Sequence, residues 1–295
     1  MQINQGCSSH IGRRKNQQDA YGFSDFKDTL FIDHGGVLAV VCDGIGGLEK
    51  GEEASCLAVK TLLDCYMAKP AEESVPAALD KAITIANREV MQLAMQIGNE
   101  DNVGTTLAAV VVYQDELFWC SAGDSRIYLH RGDQLTQLSR DHTYAQELAQ
   151  NQKVTEMSPE DIANHPYGNA LVSYVGVGEN IDVDHNEGTV KLQSGDVLLI
   201  CSDGVYNALN DAEIIEALQQ PDAMKAALGL QHKTLDKQLI NQDNLTAIVL
   251  RLQAEEGKKP HSFFSLHAKV PYIFSLVMVL MVYLLFKYVP MTLIH

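Results

Sequence analysis

Positive charge is scarce in this chain of 295 residues. Lys and Arg number 22 against 38 Asp and Glu, a formal net charge of −16. A protein that grips a phosphate backbone needs a basic face, so nucleic acid is excluded as the main partner. An acidic balance suits a protein that gathers carboxylates around cations. The six cysteines, Cys7, Cys42, Cys56, Cys65, Cys120 and Cys201, show no CxxC spacing. No zinc site and no disulfide framework is therefore indicated, which fits a reducing cytosol. Cys42, Cys120 and Cys201 lie inside apolar runs and read as small core residues. The first ten residues are polar, so no signal peptide is expected. Internal repeats and low-complexity tracts are lacking too.

What the chain does have is a recurring pattern. Val37-Leu38-Ala39-Val40-Val41-Cys42 runs straight into Asp43-Gly44-Ile45-Gly46-Gly47. The apolar run is short and rich in β-branched residues, as a strand buried on both faces would be. An Asp-Gly pair is also a common turn, but here the arrangement repeats. Residues 197–202 (VLLICS) end in Asp203-Gly204, Asp243-Asn244 precedes the run 245–250, and 118–123 leads into Asp124-Ser125-Arg126. Four strands with an aspartate at one tip imply carboxylates converging on one edge. A hard divalent cation takes such ligands: fixed carboxylates, a backbone carbonyl that glycine lets come close, and water.

Helical periodicity begins near Glu52 and recurs from about Pro76 to Ile97, with Pro in the first turn and Gly98 at the end. Residues 105–138 read as a meander of antiparallel strands. Residues 141–165 are polar and helix-like in part, and 167–187 are Gly-rich and irregular; together they read as an excursion over the site of the kind that often carries selectivity. Residues 211–219 and 221–228 read as helices, and 245–252 as the last strand.

In order, Arg14-Lys15-Asn16-Gln17-Gln18-Asp19, the Asp43–Gly47 motif, Gly104-Thr105-Thr106, Gly123-Asp124-Ser125-Arg126, Ser139-Arg140-Asp141-His142-Thr143, Ser202-Asp203-Gly204 and Asp243-Asn244-Leu245-Thr246 resemble the metal-dependent protein phosphatases of the PPM or protein phosphatase 2C family, bacterial type. The resemblance covers about residues 1–252. It implies an α+β fold, a four-layer αββα sandwich of two antiparallel sheets flanked by helices. It also implies a centre of two Mn²⁺ or Mg²⁺ ions, with a weaker third. Asp43 would bridge, the Gly44 carbonyl would be a ligand, Asp203 and Asp243 would complete one position, and Asp19 would support the other. Asp124 with Asp203 would form the third position, Asn244 would support the set, and Arg14 would clamp the phosphate. The implied reaction is hydrolysis of phosphoserine and phosphothreonine in proteins by direct attack of a hydroxide shared by two cations, with a cognate Ser/Thr kinase as a partner by family analogy.

The chain departs from the family at three points. Ile45 stands where animal members often carry a His, Gln18 where an acidic residue is common, and Ser173 where an Arg is expected. His142 is not an obvious substitute acid and reads as structural. A different class of reading is a non-catalytic phosphoprotein-binding or scaffold module of a membrane assembly. Such modules typically lose one of the aspartates, and Asp19, Asp43, Asp203 and Asp243 are all present. A small-molecule phosphatase is a third reading.

Composition changes after the phosphatase-like part, which spans 1–253 with its flap at about 142–187. Residues 254–269 form a charged linker. Residues 270–286 are 17 in a row without charge, and the span read as a transmembrane helix is 270–289, leaving a short tail, 290–295. Lys258, Lys259 and Lys269 precede it and only Lys287 follows. The positive-inside bias then keeps the large domain in the cytoplasm, on a single-pass anchor in the inner membrane.

Overall fold

Which faces of the strands are apolar decides the layering. In the computed structural model, residues 1–45, 50–98, 103–150, 157–186 and 188–254 are described, and they fall in one unit, Met1–Ala254. Every residue of Val37–Asp43 (β3) except the terminal aspartate is buried, because both faces of its sheet are covered. That sheet runs in the order β2 (Asp19–Phe23), β3, β4 (Leu107–Tyr113), β5 (Glu116–Ala122), β8 (Asp184–His185), with β9 (Val190–Lys191) also on β5. The second sheet is β1 (Gln2–His10), β11 (Leu245–Gln253), β10 (Val197–Cys201), β6 (Arg126–Arg131), β7 (Gln134–Gln137). All pairings are antiparallel.

Three apolar layers hold the sandwich. Val41, Val110, Ile127, Leu198, Ile200 and Ile248 pack between the sheets. Leu38, Val40 and Ala109 face the helices α2 (Gly51–Met67) and α3 (Val75–Gln96), meeting Leu62, Tyr66, Leu79 and Ile83. Leu199, Cys201 and Val249 face α7 (Asp211–Leu218) and α8 (Ala223–Asp236), meeting Ile214, Leu218 and Leu230. Cys42, Cys120 and Cys201 are fully buried core residues, as read. The order of layers is helices, sheet, sheet, helices. A short helix α1 (Thr29–Gly35) was not legible, although Asp28 caps it through the Phe31 N–H at 3.1 Å.

The expected meander over 105–138 is corrected. β4 and β5 pair through a two-residue turn, Gln114 and Asp115, both at positive φ. The chain then leaves that sheet at Gly123, at φ +100°, and β6 and β7 belong to the other sheet. Helix α8 is also longer than the periodicity suggested. Over 142–187 lie, among the described residues, the helices α4 (Tyr144–Gln150) and α5 (Pro159–Ala163). One further short helix, α6 (Asp203–Tyr206), follows β10.

The span 270–289 read as a membrane helix, most of the linker, and the tail lie outside the described residues, as do Gly46 and Gly47. Among the described residues no helix is long and apolar enough to cross a membrane.

Candidate active site

The switch of sheets at Gly123 puts Asp124 at the same end of the sandwich as four other strand tips. Asp19 opens β2 and is the cross-strand partner of Asp43, which closes β3. Asp203 follows β10 and Asp243 precedes β11, neighbouring strands of the second sheet. A cavity of about 360 Å³ lies there, lined among others by Arg14, Asp43, Ile45, Thr106, Asp124, Asp203 and Asp243. Of the anticipated residues, Arg14, Asp43, Asp124, Asp203 and Asp243 share its wall; Asp19 is not among the lining residues and is 7 % exposed.

Each carboxylate is held by backbone built around it. The Asp43 N–H donates to Thr106 Oγ1 at 2.9 Å, and its carbonyl accepts from Thr106 N–H at 2.8 Å and Thr105 Oγ1 at 2.9 Å. Thr106 Oγ1 in turn lies 2.6 Å from Ser125 Oγ, beside Asp124. Ser202 Oγ donates to Asp19 Oδ2 at 2.7 Å and accepts from Thr246 N–H at 2.9 Å, joining the two sheets through one hydroxyl. The Gly-Thr-Thr and Ser-Asp-Gly motifs pointed to these positions, but the roles of Thr106 and Ser202 were missed. Their partners are distant in sequence, and no local pattern carries them.

Glycine is required at two of the tips. A Cβ on Gly44 would lie 2.2 Å from the Gly51 carbonyl oxygen, and one on Gly204 would lie 2.0 Å from that of Asn244. Both contacts are with backbone, which cannot swing away. Asn244 ties the first motif down: its Oδ1 accepts from Gln18 N–H at 2.8 Å, and its Nδ2 donates to the carbonyls of Ile11 and Asn16 at 2.8 and 3.1 Å. Gln18, in place of an acid, contributes backbone: its carbonyl accepts from Gly44 N–H at 3.0 Å and Ser55 Oγ at 2.6 Å. Arg14 stands at the rim, half exposed, donating to Asp243 Oδ2 at 2.5 Å.

Electrostatics at this end are unfavourable to bare carboxylates. Burial, reinforced by Asp19, Asp203, Asp124 and Asp243, holds the Asp43 carboxyl well above its usual range. Burial likewise pushes Asp19 to about 6, Asp124 to about 6 and Asp203 to about 7. Oδ1 of Asp19 and Oδ1 of Asp203 are buried and meet no hydrogen-bond donor among the described residues. Buried acceptors without donors are rare in folded proteins, and oxygens of this kind are what a hard divalent cation takes. Among the described residues no three His, Cys, Asp or Glu side chains are arranged to hold an ion by themselves.

The points of departure lie at the margins. Ile45 lines the cavity and supplies no proton. His142 is 1 % exposed, behind Gly123; the Gly123 N–H donates to its Nδ1 at 3.2 Å. Burial lowers the affinity of His142 for a proton. Ser173 is buried and exchanges two hydrogen bonds with the backbone of Asp182, at 2.9 and 3.0 Å.

The family model for protein phosphatase 2C matches residues 7–249. The chain is 35 % identical over 198 residues to the serine/threonine phosphatase stp of Listeria innocua, covering 63 % of this chain and 77 % of that one. Among solved structures it is similar to PppA, described as a key regulatory component of T6SS in Pseudomonas aeruginosa, with a TM-score of 0.68, 32 % identity, and coverage of 84 % and 97 % of the two chains. It is similar also to the catalytic domain of the serine/threonine protein phosphatase PstP in complex with two manganese ions, with a TM-score of 0.68 and 27 % identity, covering 85 % of this chain and 99 % of that one.

Proposed function

The chain belongs to the protein phosphatase 2C family and is a metal-dependent serine/threonine phosphatase, and from that premise we propose how its own residues divide the work. Asp19, Asp43, the Gly44 carbonyl, Asp124, Asp203 and Asp243 would hold the divalent cations, two in a core centre and a third between Asp124 and Asp203. When bound, such ions supply an acidified water for attack on phosphorus and positive charge against the phosphoryl oxygens. The observation that carries the assignment is the pair of buried oxygens on Asp19 and Asp203 that meet no donor among the described residues, at a cavity whose wall includes Asp43, Asp124, Asp203 and Asp243.

Arg14 orients the substrate. Its guanidinium is planar and carries more donors than Asp243 occupies, so it can present two N–H groups to a phosphoryl oxygen pair while staying anchored. Thr105, Thr106 and Ser202 keep Asp43 and Asp19 from turning, and Asn244 keeps the Arg14 loop against β11. Among the described residues no histidine lines the cavity, and the leaving alkoxide takes its proton from water or another group.

The phosphatase domain runs over 1–253, with a flap at about 142–187. Residues 270–289 form a C-terminal membrane anchor, supported by the uncharged run 270–286 and the lysines before it. The catalytic domain then works at the cytoplasmic face of the inner membrane, on phosphoproteins made by a Ser/Thr kinase.

The test is turnover by the full-length chain of p-nitrophenyl phosphate and a phosphothreonine peptide. Activity with Mn²⁺ that stops on chelation and is lost in Asp43→Asn is expected. Normal turnover in Asp43→Asn would refute the ligand assignment.

A further inference from the structure

Asp124 and Asp203 each lean on one of two consecutive residues at the end of α6. Tyr206 donates its hydroxyl to the main-chain carbonyl of Asp124 at 2.9 Å. Asn207 donates Nδ2 to Oδ2 of Asp203 at 3.0 Å. The first bond fixes the turn on which Asp124 is carried from one sheet to the other. The second fixes the rotation of the Asp203 carboxylate: Oδ2 is taken by an amide, and Oδ1, buried and without a donor among the described residues, is the oxygen left to offer.

Tyr206 is itself held. The guanidinium carbon of Arg126 lies 3.6 Å from the centre of its ring, a cation–π stack. Arg126 is gripped by Asp141 through two near-parallel bonds, Nε to Oδ1 at 3.0 Å and Nη2 to Oδ2 at 2.7 Å, and Asp141 Oδ1 also accepts from Gln137 Nε2 at 2.8 Å. A cavity of about 430 Å³ opens beside this chain of contacts, lined by Asp124, Arg126, Asp141, Asp203, Tyr206 and Asn207 among others. That is room for an ion with its water. Nothing in the local sequence pattern around Ser202-Asp203-Gly204 anticipates these two roles.

We propose that Tyr206 and Asn207 are positioning residues for the outer cation, the one shared by Asp124 and Asp203: together they preset the separation and aim of the two carboxylates. The proposal rests on the assignment of these aspartates as cation ligands made above. Partners that orient ligands commonly change metal affinity by one or two orders of magnitude when removed.

The experiment is calorimetric titration of the metal-free, full-length chain with Mn²⁺, with electron paramagnetic resonance counting the bound ions. The wild-type chain is expected to take two ions tightly and one weakly. Tyr206→Phe and Asn207→Ala are each expected to keep the two tight ions and to weaken the third roughly tenfold. Turnover in both should recover as Mn²⁺ is raised. Asn207 is exposed, so its truncation decides the matter should Tyr206→Phe fail to fold. A variant that melts earlier while its weak binding step stays put marks a purely structural contact and overturns the proposal. A wild-type chain that binds only two ions overturns it too, but leaves the core centre and the phosphatase assignment standing. A wild-type chain that binds none removes both.

Discussion

Asp203 illustrates what the open end of the sandwich does to a single carboxylate. Burial, then Asp124, Asp243 and Asp19, push it from 3.8 to about 7, and Asp19 and Asp124 rise to about 6. A carboxyl whose folded pKa lies above its unfolded one binds protons more tightly when folded. Its contribution to stability is full below about 3.8 and is lost as pH rises through about 6 to 7. The metal-free chain should therefore lose stability progressively as pH rises from about 4, with the last of the loss between pH 6 and pH 8. His130 and His142, whose proton affinity burial lowers, act in the opposite sense as pH falls. Asp203→Asn provides the control that subtracts them. Calorimetric melting of both proteins in chelator should show the wild type falling relative to Asp203→Asn from pH 6 to 8. Saturating Mn²⁺, which binds the deprotonated form, should raise the wild-type midpoint more at pH 8 than at pH 6. Parallel pH profiles for the two proteins would contradict a crowded, uncompensated carboxylate. A second residue-scale expectation concerns Arg14: Arg14→Ala should raise KM for a phosphopeptide and lower kcat, while leaving the two tight Mn²⁺ ions bound. Loss of those ions instead would make Arg14 a support for Asp243 and not a clamp for substrate.

Among the elements, β11 and the loop before β2 meet at Asn244, whose side chain makes three hydrogen bonds to Gln18, Ile11 and Asn16. Asn244→Ala leaves two carbonyls and an amide without partners, a loss of roughly 1–3 kcal/mol. It should speed hydrogen exchange at residues 11–18 and lower kcat/KM, with exchange in β10 unchanged. Uniform acceleration throughout would mean global destabilisation and not a loosened loop. Gly204→Ala should destabilise comparably, since the added Cβ meets backbone at 2.0 Å; overpacking of this kind typically costs about 1–3 kcal/mol. Helices α2, α3 and α7 were legible to within a residue or two because their apolar stripes repeat at 3.6 residues. The aspartate-tipped strands were legible because burial on both faces demands an unbroken apolar run. The assignment of β6 and β7 to the second sheet was not legible, because it hangs on one glycine at φ +100°. Nor were the Thr106–Asp43, Ser202–Asp19 and Tyr206–Asp124 bonds, which join residues 63, 183 and 82 positions apart. Periodicity reports which side of an element is apolar; it says nothing of which hydroxyl meets which distant carboxylate.

For the whole molecule, the question is where an acidic enzyme of net charge −16 finds its substrates. A surface of that sign is repelled by anionic lipid headgroups and gains nothing from electrostatic attraction to the membrane. The proposed anchor would have to draw on apolar burial instead: the uncharged run 270–286 has about the length that needs, with the flanking Lys287 able to reach the headgroups. At roughly 0.8 kcal/mol per buried CH₂, such a segment outweighs the repulsion of a charged domain many times over. The full-length chain should therefore sediment with membranes and resist extraction by high salt or carbonate, yielding only to detergent. A chain ending before residue 270 should appear in the soluble fraction. In inverted vesicles, protease should digest the phosphatase domain if, as proposed, Lys258, Lys259 and Lys269 mark the cytoplasmic side. A salt-extractable full-length chain would show that the C-terminal run packs against protein; a protected domain in inverted vesicles would reverse the orientation and place the site away from any cytoplasmic phosphoprotein.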